Sequence, residues 1–112
     1  MGDALVKELE LIEERAALSP SDVAQVIGTS ARTIYRWASG SAGPRAKARN
    51  RLLEIAAVVR SLSSVVSSDA ANIWLHSPNP FLQYEKPIEL LGRGEYRRVL
   101  AAVDALKDGA FV

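Results

Sequence analysis

Residues 19–40 read SPSDVAQVIGTSARTIYRWASG. Ser19 has the chemistry of a helix N-cap, Pro20 suits the first helical position, and Asp22 falls in the positive first turn. Val23, Ala24 and Ile27 then form an inner face at helical period. Gly28 and Thr29 interrupt the pattern, Ser30 caps a second segment, and Gly40 ends it. Helix, glycine-containing turn and helix make the helix-turn-helix layout. In the second helix Ile34 and Trp37 lie three apart and pack inward, leaving Arg32, Thr33, Tyr35, Arg36 and Ser39 outside. Arginine is the usual bidentate partner of guanine, and Ser, Thr and Tyr hydroxyls serve phosphate oxygens. Ser30 and Thr29 stand where backbone N–H groups also favour a phosphate. The same pattern also fits a plain three-helix core with an incidental basic face.

Outward from this stretch the chain stays helical. Upstream, Leu5, Leu9, Ile12 and Ala16 make one apolar stripe. Downstream, the loop GSAGP leads to a long helix from Arg45 with Ala48, Leu52, Ile55, Val59 and Leu62 on one face. The serine-rich SLSSVVSSD reads as a hinge, and Asp69 is expected to cap a short helix through Leu75. HSPNPF stops that helix, since each proline pushes the residue before it out of helical geometry. Pro87 opens a further short helix through Leu91, and Gly94 breaks it. A last amphipathic helix turns Tyr96, Val99, Leu100, Val103 and Leu106 inward and ends at Gly109. The expected fold is all-α: an N-terminal helix-turn-helix bundle over residues 1–64 and a small C-terminal helical lobe over residues 65–112.

Net charge is only +1, but it is unevenly spread. Residues 31–60 carry Arg32, Arg36, Arg45, Lys47, Arg49, Arg51 and Arg60 against Glu54 alone. That basic middle between acidic neighbours points to a polyanion partner, or to a solvated helix face. Arg45 is a phosphate-contact candidate beside the α-helical reading face of Arg32, Thr33, Tyr35 and Arg36. With no cysteine there is no disulfide framework and no thiolate metal site, which suits a cytoplasmic protein. The charged N-terminus MGDALVKELELIEERAAL is neither a signal peptide nor a membrane span. An enzyme reading is poor. His76 is the sole histidine, GRGEY does not follow a strand, and Asp104 and Asp108 share a helix face with no ligand partner nearby. No metal or cofactor is expected.

The last third carries a more specific pattern: Trp74-Leu75, then Pro78-Asn79, then Pro87 with Leu90-Leu91, then Gly94, Val99, Leu100 and Gly109. This resembles the toxin-binding domain of the Xre/MbcA/ParS antitoxins, and the closing Gly109-Ala110-Phe111-Val112 looks like the MbcA-type branch. The resemblance implies a bacterial type II antitoxin that neutralises a RES-domain, NAD-degrading toxin and represses its own promoter. It also implies that Trp74, Pro78, Asn79, Gly109, Ala110, Phe111 and Val112 meet the toxin, the tip reaching the toxin's active-site cleft. Read as residues alone, Trp74, Phe81, Tyr84, Leu90 and Leu91 are mostly local core. SPNP is a rigid corner, and Phe111 is either a frayed end or folded back on the protein's own surface. One departure is plain. Many members place Leu-Gly-Gly before the proline matching Pro87, whereas this chain has Leu82-Gln83-Tyr84-Glu85-Lys86, so another backbone shape is expected there. A homodimer is expected, held by the C-terminal lobe, since paired readers match half-sites about 34 Å apart. The competing reading is a stand-alone helix-turn-helix regulator whose C-terminal lobe only dimerises.

Overall fold

Position 52 of the long helix fixes the centre of the molecule. Leu52, Ile55, Ala56, Val58, Val59 and Leu62 are all buried on one broad face of α4 (Ala46–Ser63), too wide a face for a single neighbour to cover. Accordingly α4 packs against α1 (Gly2–Ala16), α2 (Pro20–Ile27), α5 (Ser68–His76), α6 (Pro87–Gly92) and α7 (Tyr96–Lys107). The remaining elements are α3 (Ala31–Ala38) and a single 3-10 turn, Pro80–Leu82. This computed structural model describes residues 2–109. Its elements are all helical, as expected, with one isolated antiparallel bridge between Asn79 and Glu85.

The two regions separated near residue 64 share one core. A single cluster joins Ile12, Val23 and Trp37 of the first region to Leu75, Leu90 and Val99 of the second. The serine-rich stretch is a packed turn rather than an open linker. Ser64 Oγ donates to the Ser61 carbonyl at 2.7 Å, and Val66 packs on the core. The helix that follows is capped by Ser67, whose Oγ accepts from Ala70 N–H at 3.3 Å, two residues before the expected cap. Asp69 sits in the first turn, where its charge still favours the helix dipole.

The helix-turn-helix forms as read. Ser19 and Asp22 make a reciprocal capping box (3.1 and 3.0 Å), and Gly28 takes the left-handed conformation, φ 90°. Its N–H and that of Thr29 both donate to the Ala24 carbonyl. One inner-face residue differs: Val26 is buried and Ile27 only partly. The reason is a neighbour from the far end of the chain. Helix α6 lies against α2, where a Cβ on Gly92 would be in ordinary contact with the Val26 carbonyl oxygen at 3.9 Å.

Two other expectations shift in the C-terminal region. Leu90 and Leu91 are core and Trp74 packs against it, but Phe81 is 48% and Tyr84 71% exposed. The turn lacking glycine keeps a glycine-type shape all the same. Gln83 and Tyr84 both hold positive φ, 57° and 66°, in the region where an L side chain costs about 1–2 kcal/mol. Gly109 has φ 77° and its N–H donates to Leu106, closing α7 as expected. Residues 110–112, where Phe111 was singled out, lie outside the described residues.

Candidate functional site

Three features of α3 build its outer face. Ile34 and Trp37 are buried, which turns the opposite side outward and leaves Arg32, Tyr35 (62% exposed) and Arg36 in solvent. Ser30 Oγ accepts from Thr33 N–H at 3.2 Å and lies 3.0 Å from Thr33 Oγ1. The cap therefore spends both hydroxyls on the helix start, and reach towards a ligand falls to Arg32, Tyr35 and Arg36. At the other end, the Arg36 carbonyl accepts from the Ser39 and Ser41 hydroxyls (3.0 and 3.1 Å) and from Ser41 N–H. This clamps the exit of α3 while its side chains stay free to extend. Arg45, the N-cap of α4, is exposed, as are Lys47 and Arg49. The surface is thus a short, firmly capped helix with two arginines and a phenol, followed by three further cations. That chemistry fits phosphates and base edges.

Arg51 belongs to neither group. Its Nη1 donates to the Leu91 and Gly92 carbonyls (3.0 and 2.8 Å), and its Nε lies 3.4 Å from Glu54 Oε1. A cation on the carbonyl end of α6 is favoured by the helix dipole, and the contact ties the basic helix to the C-terminal lobe. Gly94 makes room for it. At φ 82°, a Cβ there would stand 3.2 Å from Arg51 Nη2. Nothing in the sequence marks Arg51 as different from Arg49; only the fold separates them. His76 makes a second tie. Its Nδ1 must donate to the Asn72 carbonyl (2.8 Å), and its Nε2, 3.5 Å from Asp22 Oδ1 of the helix-turn-helix, is drawn to that carboxylate only when the ring carries both protons. Asn72 Nδ2 adds a third, donating to the Ala17 carbonyl at 3.0 Å.

The C-terminal surface centres on the turn at 79–85. Asn79 is the buried polar residue of the fold, 5% exposed among the described residues. Its Oδ1 accepts from Phe81 N–H (2.9 Å), its N–H donates to the Glu85 carbonyl (3.1 Å), and its own carbonyl accepts from Leu82 and Tyr84 (2.9 and 2.8 Å). Leu82, 1% exposed, pins the turn to the core. Beyond it Arg93 bridges Glu85 (2.9 and 3.0 Å) and Glu95 (2.9 Å), and Arg98 adds a 2.8 Å bond to Glu95. Hydrogen bonds from Arg98 and then Arg93 hold the Glu95 carboxyl below its ordinary pKa, and those from Glu95 and Glu85 raise that of Arg93. Of the residues singled out in this region, Trp74 is half-buried, Pro78 exposed, Asn79 engaged in the turn, and Gly109 exposed at the end of α7. Ala110, Phe111 and Val112 lie outside the described residues.

Among the described residues no group of three or more His, Asp or Glu could hold a metal ion. No described helix is long and apolar enough to cross a membrane.

The helix-turn-helix and the small lobe with its proline-bounded turn thus share one core. Residues 61–109 match the family model described as the antitoxin Xre/MbcA/ParS C-terminal toxin-binding domain, and the chain belongs to this antitoxin family, in its MbcA-like branch. It is 40% identical over 99 residues to the mycobacterial cidal antitoxin MbcA of Mycobacterium tuberculosis, covering 88% of each chain. A probable mycobacterial cidal antitoxin of the same organism is 31% identical over 115 residues, covering 98% of this chain and 96% of that one. The fold is similar to a chain in the crystal structure of the M. tuberculosis MbcT–MbcA toxin–antitoxin complex, with TM-score 0.85 and 38% identity. That likeness covers 96% of this chain and 97% of the other.

Proposed function

We propose that this chain is the antitoxin of a type II toxin–antitoxin pair. In this reading residues 65–112 bind and neutralise a RES-domain, NAD-degrading toxin and hold a homodimer together. Residues 1–64 bind the pair's own promoter as a repressor, in the cytoplasm. The observation that carries the toxin half is the near full-length likeness to a chain of a toxin–antitoxin complex. The DNA half rests on the outward face of α3 and on the cations Arg45, Lys47 and Arg49 that follow it. The chain acts by occupancy, not chemistry: its relatives are antitoxins.

In this reading the end of the chain contributes directly. Phe111, with Ala110 and Val112, blocks substrate entry to the toxin, and Gly109, at φ 77°, closes α7 just before them. Aromatic anchors in desolvated pockets commonly dominate an interface.

The test is co-expression with the product of the adjoining gene. The two should co-purify, and excess antitoxin should stop NAD consumption. Removing residues 110–112 should restore consumption while leaving melting unchanged. Failure to co-purify would leave the stand-alone regulator in its place.

A further inference from the structure

We infer that the turn at residues 79–85 is a pre-shaped docking knuckle for the toxin and that Tyr84 is its specificity-determining side chain. The inference rests on the antitoxin reading above and goes beyond it in naming the residue and its role. Two consecutive non-glycine residues, Gln83 and Tyr84, stand in the left-handed region. Such conformations persist only where the surroundings over-determine them, and they gather at binding sites. Here the surroundings do over-determine them. Asn79 supplies hydrogen bonds to four backbone groups of the turn, Leu82 is locked in the core, and Arg93 holds the carboxylate of Glu85.

The side chain carried at this cost in strain does little for the fold. Tyr84 is 71% exposed, more than any other large hydrophobic residue among those described. A glycine would serve the backbone better. What a tyrosine adds is a rigid aromatic body with a hydroxyl at its tip, the side chain that gives an interface large contact area at small entropy cost. The occupant is the toxin because the knuckle lies inside residues 61–109, the stretch matched to a toxin-binding domain. The feature it fits is an apolar slot with a hydrogen-bonding group at its floor.

Wild type, Tyr84→Gly and Leu53→Ala are titrated against the purified toxin from the adjoining gene, and melting and self-association are measured alongside. Tyr84→Gly should weaken toxin binding by about tenfold or more and leave the melting temperature unchanged or raised. Leu53→Ala, an exposed change outside the knuckle, should keep toxin affinity within about threefold. Affinity within that same margin for Tyr84→Gly would overturn the proposal. So would a lowered melting temperature, which would give Tyr84 back to the fold, or an effect on self-association alone, which would make a second copy the occupant. If wild type does not bind the toxin, the antitoxin reading itself fails, and the knuckle with it.

Discussion

Two turns in this chain hold the same left-handed backbone by opposite means. Between α2 and α3 a glycine does it: Gly28 sits at φ 90° with open space where a Cβ would stand. The turn is cheap, local and held by two hydrogen bonds to the Ala24 carbonyl. At residues 83 and 84 two bulky side chains adopt the conformation, and the frame around them bears the strain. The first turn only has to set the angle between two helices, so the residue with least resistance suffices. The second also has to present a side chain. Conformation alone therefore does not say what a turn is for; the residue chosen to hold it does.

The largest expected effect tests the frame. Leu82→Ala removes the apolar anchor of the second turn and should cost about 2–5 kcal/mol of stability by denaturant titration. The exposed Leu53 (44% exposed) should cost well under half as much when changed to Ala. A Leu82→Ala loss no larger than that of Leu53→Ala would mean that hydrogen bonds, not the anchor, hold the turn. Next in size is α3, beyond the first turn, as the proposed DNA contact. Arg36→Ala should weaken promoter binding by about 1–3 kcal/mol if it reads a base, with melting unchanged. Arg45→Ala should weaken all sequences alike and lower the salt slope by about one unit in a titration series.

The contrast also governs what could be read from the residues. The first turn was legible because its signals are local: Ser19, Pro20, Gly28 and Ser30 each have one backbone position they favour. The stripe of Leu52, Ile55, Val59 and Leu62 along α4 was legible for the same reason, while the burial of Ala56 and Val58 was not. Val26 was missed because it is buried by α6, more than sixty residues away, and no local period announces that neighbour. Phe81 and Tyr84 read as core because large apolar groups usually are; the short-range hydrogen bonds from Asn79 that shape the turn around them are not marked by any apolar period. The tie of Arg51 to α6 was invisible for want of any mark on that arginine, although its counterpart, Gly94, stands in the family pattern. The outward face of α3 followed from the sequence directly, since burying Ile34 and Trp37 leaves Arg32, Tyr35 and Arg36 one side to occupy.

The two turns should answer glycine exchange with opposite signs. Gly28→Ala meets no atom within 4 Å, so its cost is backbone strain alone, about 1–2 kcal/mol. Gln83→Gly relieves a similar strain but adds unfolded-state freedom worth about 0.5–1 kcal/mol. Its net effect should be neutral to stabilising, within about 1 kcal/mol. Two matched thermal melts decide the matter. If Gln83→Gly destabilises as much as Gly28→Ala does, the side chain of Gln83 supports the turn and the proposed division of labour is wrong.

The smallest expected effect separates the frame's ions from its hydrogen bonds. Arg93 and Arg98 join Glu85 at the end of the strained turn to Glu95 at the start of α7. Both arginine bonds favour the ionised carboxylate, so the pKa of Glu95 is lowered on folding from its ordinary 4.5. A carboxyl with a depressed folded value adds stability above the unfolded value and loses it as pH falls through the folded one. The network should thus help at neutral pH and fade in acid below about pH 4.5. It is solvent-exposed, so the contribution is small and screened by salt. Glu95→Gln should lower the melting temperature slightly at about pH 7, and the difference from wild type should shrink as pH falls below the ordinary carboxylate range or in about 1 M salt. A difference that survives acid would mean that Glu95 acts through packing. If the difference fades while Tyr84 still binds the toxin at high salt, the knuckle stands on Asn79 and Leu82, and the ion pairs only trim the approach to α7.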